Sequence, residues 1–236
     1  MTHPFNNEFI NVIKHIYKER YGFEDELNVL HELLTTELFN ESREDILKIK
    51  TLGSNDRESV FYRDYHHFID TNVVFNDVYT RFINNHIKPL FSNNGPVIVQ
   101  KTPNIRISFP NSTAIGKHEK DTYNTIGIHK DSDFGHHPDE INIIIPITSM
   151  FDTNSIYYEP TENSNLPIHQ YNNLKLNIDS FFVGSFNKLL HFNKINKTGV
   201  TRISLDFRII LYENYMKNIK SFENTKFELG KYFIVA

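Results

Sequence analysis

Apolar residues Phe9, Val12, Ile13, Ile16 and Tyr17 recur at three- and four-residue intervals, so the chain is expected to open on an amphipathic helix. Leu27, Leu30, Leu34 and Leu38 repeat that period in a second segment. Phe75, Val78, Tyr79, Phe82 and Ile83 repeat it in a third, which Pro89 is expected to end or distort. Between the second and third segments, TLGSNDRES reads as a loop. After Pro96 the texture changes to short β-type runs separated by turn residues: PVIVQ, NIRISF, NTIGIH, INIIIPIT, SIYYE, SFFVGSF and VTRISLDFRIILY. Strands of this length and spacing predict a sandwich or barrel. The expected fold is mainly β, with a helical layer from the N-terminal part packed on a C-terminal β-barrel. No repeat or Gly/Ser linker marks a boundary, so one domain is expected over residues 1–236. Its mostly helical part covers 1–95 and its β core 96–236.

The last strand carries two different faces. Arg202, Ser204, Asp206 and Arg208 alternate with Ile203, Leu205, Phe207 and Ile209, so the polar set points one way and the apolar set the other. Such a strand is either an edge with a wet face or the wall of a polar pocket.

Composition narrows the chemistry. The chain has 236 residues, a formal charge of -4 and no cysteine, so a disulfide framework and a thiolate metal site are both excluded. A metal would have to be held by His, Asp and Glu, which suits Fe, Mn, Zn or Ni. The acidic balance argues against a nucleic-acid partner. The N-terminus lacks the basic start and apolar core of a signal peptide, and no apolar run is long enough for a membrane span. A cytoplasmic protein without a membrane partner is the expectation.

The densest chemistry lies in HKDSDFGHHPDEINIIIPIT, where metal-capable side chains crowd before an isoleucine run. His129-Lys130-Asp131 ends a β-like run and supplies two ligands of a 2-His-1-carboxylate facial triad, with His191 as the distal third. Eleven residues after His191 comes Arg202, with Ser204 beyond it. A guanidinium fork beside a hydroxyl suits the far carboxylate of 2-oxoglutarate while the keto-acid end chelates iron. His137-Pro138-Asp139 has the same H-x-D spacing, but it lies in a loop, its proline stiffens the bend, and Asp139 abuts the next strand. The pair at 129 and 131 is therefore preferred.

Together, QKTPNIRISFP, HKDSDFGHHPDEINIIIPIT and TRISLDFRI resemble the Fe(II)/2-oxoglutarate-dependent oxygenases of the double-stranded β-helix (jelly-roll, cupin-like) fold. In motif the chain is most similar to a subgroup linked with streptomycin biosynthesis. The likeness runs from about Val99 to Tyr212, roughly half the chain. It implies that His129, Asp131 and His191 are the iron ligands. Arg202 would bind the C5 carboxylate of 2-oxoglutarate, with Ser204 beside it and Asn142 supporting the cosubstrate or a ligand. Arg106 would reach substrate or pair with Asp206. Fe(II), 2-oxoglutarate and O2 are the implied cofactors, and succinate the implied coproduct. Asp131 fills the place that family halogenases leave to a small residue, so halogenation is disfavoured. Hydroxylation, desaturation or cyclisation of a small polar molecule is the implied reaction, the substrate being a sugar, an amino acid or a biosynthetic intermediate.

The loop Ser132–Pro138 follows the ligand pair and is expected to overhang the metal. Asp133, His136 and His137 are thus candidate substrate contacts, and Tyr157, Tyr158 and Glu159 candidates for the opposite wall. Two other readings compete. A cupin-like metal enzyme that does not use 2-oxoglutarate has no need of Arg202 and Ser204. A non-catalytic ligand-binding jelly roll has no need of a complete triad. The apolar stripe of the N-terminal helices leaves open a homo-oligomer interface or a lid.

Overall fold

A computed structural model describes residues 5–35, 60–111, 125–223 and 225–236. Helix α1, Phe5–Tyr21, buries the predicted stripe of Phe9, Val12, Ile13, Ile16 and Tyr17. Asn6 fastens its first turn to the sheet by donating to the carbonyls of Pro146 and Ser180 at 3.0 and 3.3 Å. The second segment departs from the expected α-helix. Leu27–Thr35 is a 3-10 helix, and its buried leucines are Leu27, Leu30 and Leu33. A three-residue turn places every third side chain on one face, so Leu33 takes the place expected for Leu34. Leu38, the side chain of Leu34 and the expected loop TLGSNDRES lie outside the described residues.

Helix α2, Val60–Ile69, buries Phe61, Tyr65 and Ile69, one residue per turn. Helix α3, Val73–Phe82, starts at Asn72, whose side chain accepts the Phe75 N–H at 2.7 Å. It runs on through a π turn, Ile83–Ile87, into a 3-10 segment, Lys88–Asn94, that Pro89 opens. The proline distorts the helix as expected, because it offers no N–H to the α ladder.

Among the described residues ten strands follow: β1 Val97–Gln100, β2 Asn104–Ser108, β3 Thr125–His129, β4 Ile141–Pro146, β5 Ile156–Tyr158, β6 Asn172–Asn173, β7 Phe182–Gly184, β8 His191–Lys194, β9 Arg202–Leu211 and β10 Phe233–Val235. All their pairings are antiparallel. The larger sheet has the order β10-β1-β9-β4-β7, with β2 also paired to β9, and the smaller has the order β3-β8-β5-β6. Two short helices, α4 Tyr212–Lys217 and α5 Ile219–Phe222, pack Tyr215 and Phe222 against Ile98, Ile210 and Phe233. No helix among the described residues is long and apolar enough to cross a membrane.

Strand β9 is central rather than an edge. It pairs with β1 and β2 along one side and with β4 along the other. Ile203, Leu205, Phe207 and Ile209 join Ile143 and Ile145 in one core with the side chains of α1, α2 and α3. Arg202, Ser204, Asp206 and Arg208 point the other way, yet all are buried. Of the two readings of the alternation, the pocket wall is the one realised.

Phe207 sits where the layers meet, with edge-on contacts to Tyr79 and Phe82 at 5.2 and 6.3 Å between ring centroids. Truncating a fully buried aromatic removes its transfer energy and leaves a cavity. Phe207→Ala is expected to lower the unfolding free energy in urea by about 3–5 kcal/mol. A loss below about 1 kcal/mol would mean that the helical layer does not pack on this face.

Candidate metal centre

The site forms where β3 and β8 run side by side. Their register places His129 directly opposite His191, so two residues far apart in sequence become cross-strand neighbours with ring centroids 4.3 Å apart. An irregularity between Ile126 and His129 shifts the register, and Gly127 takes a φ of 53° there. That left-handed conformation is cheap for glycine and strained for a branched residue. The bend turns the Gly127 carbonyl toward His129 Nδ1, with which it hydrogen-bonds. His191 Nδ1 likewise donates to the Leu189 carbonyl at 3.1 Å. Both rings therefore carry their proton on Nδ1 and leave Nε2 bare for a metal.

Asp131 opens a 3-10 turn, Asp131–Phe134, two residues past the strand end. Its N–H donates to the Phe186 carbonyl at 2.9 Å, and Gly135 closes the turn in the left-handed region. One oxygen, Oδ1, lies 3.8 Å from His129 Nε2 and 3.6 Å from His191 Nε2. One ligand atom from each of the three residues falls within 4.8 Å of the others, a spacing that a single ion can bridge. His129, Asp131 and His191 form a metal-binding site. Two imidazole nitrogens and one carboxylate oxygen suit a divalent ion such as Fe(II) and leave coordination positions open.

The other carboxylate oxygen, Oδ2, is already engaged. It accepts from Arg208 Nη2 at 2.7 Å and from Asn142 Nδ2 at 2.8 Å. Asn142 spends its carbonyl on the Phe186 N–H at 2.9 Å. Of the two roles expected of Asn142, support of the cosubstrate or of a ligand, the contacts made are to the ligand Asp131 and to Phe186. Phe186 in turn stacks on His191, with centroids 4.5 Å apart.

Burial works against charge on Asp131, but Arg208 and His191, together with hydrogen bonds from Asn142 and Arg208, overcome it and hold the carboxyl well below the usual range. Burial pushes His191 down to about 4 against the opposing pull of Asp131. At neutral pH both are therefore in the state a metal requires.

A cavity of about 60 Å³ between the two sheets opens onto the triad, and Arg106, Arg202, Ser204 and Asp206 also line it. Arg202 is buried; it donates to Ser204 Oγ and the Asn154 carbonyl at 3.0 Å and to Asn193 Oδ1 at 3.3 Å. Arg106 sends Nε and Nη2 to Asp206 Oδ2, both at 3.1 Å. Of the two partners considered for it, the aspartate is met.

The loop residues go elsewhere. Asp133 accepts the Lys130 N–H at 2.8 Å as a cap for the 3-10 turn, and neither it nor His137 lines the cavity. His137 accepts the Asp139 N–H at 3.1 Å and lies against Phe222, while His136 pairs with buried Glu140 at 2.8 Å. The second H-x-D is thus a folded turn, and among the described residues it joins no metal-capable group. Tyr157 stacks on Phe192, and Glu159 accepts the Leu190 N–H at 2.8 Å. From β5 it is Ile156 that reaches the cavity.

Arg208, Asn193 and Phe186 are site residues that motif reading did not single out. Asn193 follows His191 by two and shares its face, a relation that shows only once His191 is known to lie on a strand. Arg208 was placed on the polar face, but its partner could not be read without knowing that β9 passes the end of β3.

No family model matches the chain. Over 181 residues it is 26% identical to streptomycin biosynthesis protein StrG of Streptomyces griseus, a match covering 75% of this chain and 77% of that protein. The motif likeness to a subgroup linked with streptomycin biosynthesis is met by this relative. Among solved structures, the non-heme monooxygenase ThoJ in its nickel complex aligns with a TM-score of 0.41 at 13% identity, over 62% of this chain and 54% of that one. The α-ketoglutarate-dependent carbocyclase SnoK from nogalamycin biosynthesis aligns with a TM-score of 0.42 at 10% identity, over 57% and 59%. The chain thus spans little more than half of either structure.

The buried histidine predicts a pH dependence in metal-free protein. An unfolded histidine titrates near 6.5 and His191 at about 4, so between these values the unfolded state binds more protons and stability rises with pH. Chelator-treated protein is expected to lose up to about 3 kcal/mol from this residue between pH 6.5 and 4, and His191→Asn to flatten that slope. Parallel slopes for wild type and variant in urea titrations would contradict the assignment.

Proposed function

We propose that this chain is an Fe(II)/2-oxoglutarate-dependent oxygenase acting on a small polar molecule. Its double-stranded β-helix core, residues 96–236, would be supported by the helical part before it in a single domain. The observation that carries the reading is that the triad and the Arg202–Ser204 pair face the same cavity. When bound, ferrous iron with 2-oxoglutarate and O2 supplies the oxidising power, and the cosubstrate leaves as succinate and CO2.

The protein's own part is binding, orientation and exclusion of water. His129 and His191 offer Nε2, and Asp131 offers Oδ1. Arg202 presents a charged donor beside Ser204 Oγ at a depth where water is excluded, which favours a carboxylate over neutral ligands. Phe186 walls His191 with an apolar ring. The carboxylate at position 131 occupies a ligand place that halide would need, which supports oxygenation over halogenation. Hydroxylation is the outcome we favour, with desaturation or cyclisation as alternatives of the same hydrogen-abstracting chemistry. Arg106 and the polar cavity wall support a hydrophilic substrate such as a sugar or an amino acid.

Anaerobic Fe(II) titration with and without 2-oxoglutarate tests this. Wild type is expected to give the visible charge-transfer band of a chelated keto acid. Arg202→Ala is expected to weaken cosubstrate binding by roughly 2–3 kcal/mol, and His191→Ala to abolish the band. Iron binding without a band would favour the cupin-like enzyme, whereas a band without turnover for any substrate would favour a binding protein.

A further inference from the structure

The residue that holds Asp131 in place lies within TRISLDFRI, six positions beyond Arg202, where no motif assigns it a role. Arg208 is buried in the central strand, and its two terminal nitrogens serve two different carboxylates. Nη2 donates to Asp131 Oδ2 at 2.7 Å and Nη1 to Asp206 Oδ1 at 3.2 Å. Asp206 in turn binds Arg106 through its other oxygen. The result is a continuous chain, Arg106–Asp206–Arg208–Asp131, running from the cavity wall to the metal face. Arg208 Nε, buried as well, meets no acceptor among the described residues. The fork is therefore placed for the carboxylates at the expense of its third donor position.

A carboxylate facing a metal with both oxygens free can bind through one or both. Here Oδ2 is taken by Arg208 and Asn142, which leaves Oδ1 alone toward the two histidines. We propose that Arg208 is a positioning residue for the metal centre, holding Asp131 to a single coordinating oxygen and keeping a further coordination position open. This rests on the proposed metal site and deepens it.

Charge and geometry can be separated. Arg208→Lys keeps a cation between Asp131 and Asp206 but replaces the rigid two-pronged fork with one mobile point. Arg208→Met removes the cation, which by charge alone would strengthen binding of a divalent ion. The probe is Co(II), with affinity measured by competition against a chromophoric chelator and coordination by the ligand-field absorption of the bound ion. If Arg208 positions Asp131, the lysine variant binds Co(II) roughly 10- to 100-fold more weakly than wild type. Its ligand-field bands also shift toward higher coordination number, as a second carboxylate oxygen joins. A residue that acts only through charge would leave the lysine variant unchanged and tighten the methionine variant. A residue that serves the fold alone would lower the melting temperature of both without moving the spectrum of the bound ion. Either result overturns the proposal. Should the methionine variant fail to fold, the lysine variant carries the test, since no carboxylate loses its counter-charge. Wild type that binds no Co(II) would remove the metal-site reading itself. Wild type that binds, with a lysine variant within threefold and spectrally identical, would remove only the role of Arg208.

Discussion

A buried carboxylate that must stay charged is the constraint around which this structure is arranged. Taking an ionised aspartate out of water is costly unless its charge is matched and its lone pairs are occupied. Asp131 meets both conditions with one oxygen, through the guanidinium of Arg208 and the amide of Asn142. The remaining oxygen is left toward the Nε2 atoms of two imidazoles. A divalent ion would complete that environment. The charge that would otherwise weaken the fold becomes the feature that selects its ligand.

Strand β9 makes the arrangement possible because its two faces solve different problems. The apolar face joins the helical layer in a continuous core, which fixes the strand's height and rotation. With the backbone so fixed, the opposite face can present two arginines, a serine and an aspartate at set intervals. Arg202 is then delivered to one part of the cavity and Arg208 to the ligand Asp131. The smaller sheet contributes the histidines by cross-strand register rather than by loop placement. Sites carried on strands hold their geometry better than sites carried on loops.

Much of this was legible in the chain. The β-type runs after Pro96 became strands, and the alternation on β9 correctly sorted core-facing from cavity-facing residues. His129, Asp131 and His191 were chosen from twelve histidines and a competing H-x-D because strand ends and spacing carry geometric information. What stayed hidden has physical reasons. The leucine period at Leu27 suits both an α-helix and a 3-10 helix, and only tertiary packing decided for Leu33. Strand β8 is buried on both faces over His191, Phe192 and Asn193, so it shows no alternation. Asp133 and His137 looked like substrate contacts because the loop follows the ligands, but turn chemistry claimed their side chains first. The Arg208–Asp131 pair joins residues on different elements, and no local pattern encodes it.

The central claim is that two histidines and one aspartate oxygen hold a single divalent ion. X-ray absorption on the Fe(II)-loaded, oxygen-free protein addresses it most directly, because imidazole rings leave a distinct outer-shell signature. The account predicts one iron per chain, two imidazole ligands and an otherwise oxygen-rich shell. Iron with no imidazole, with one, or with three or more would contradict it.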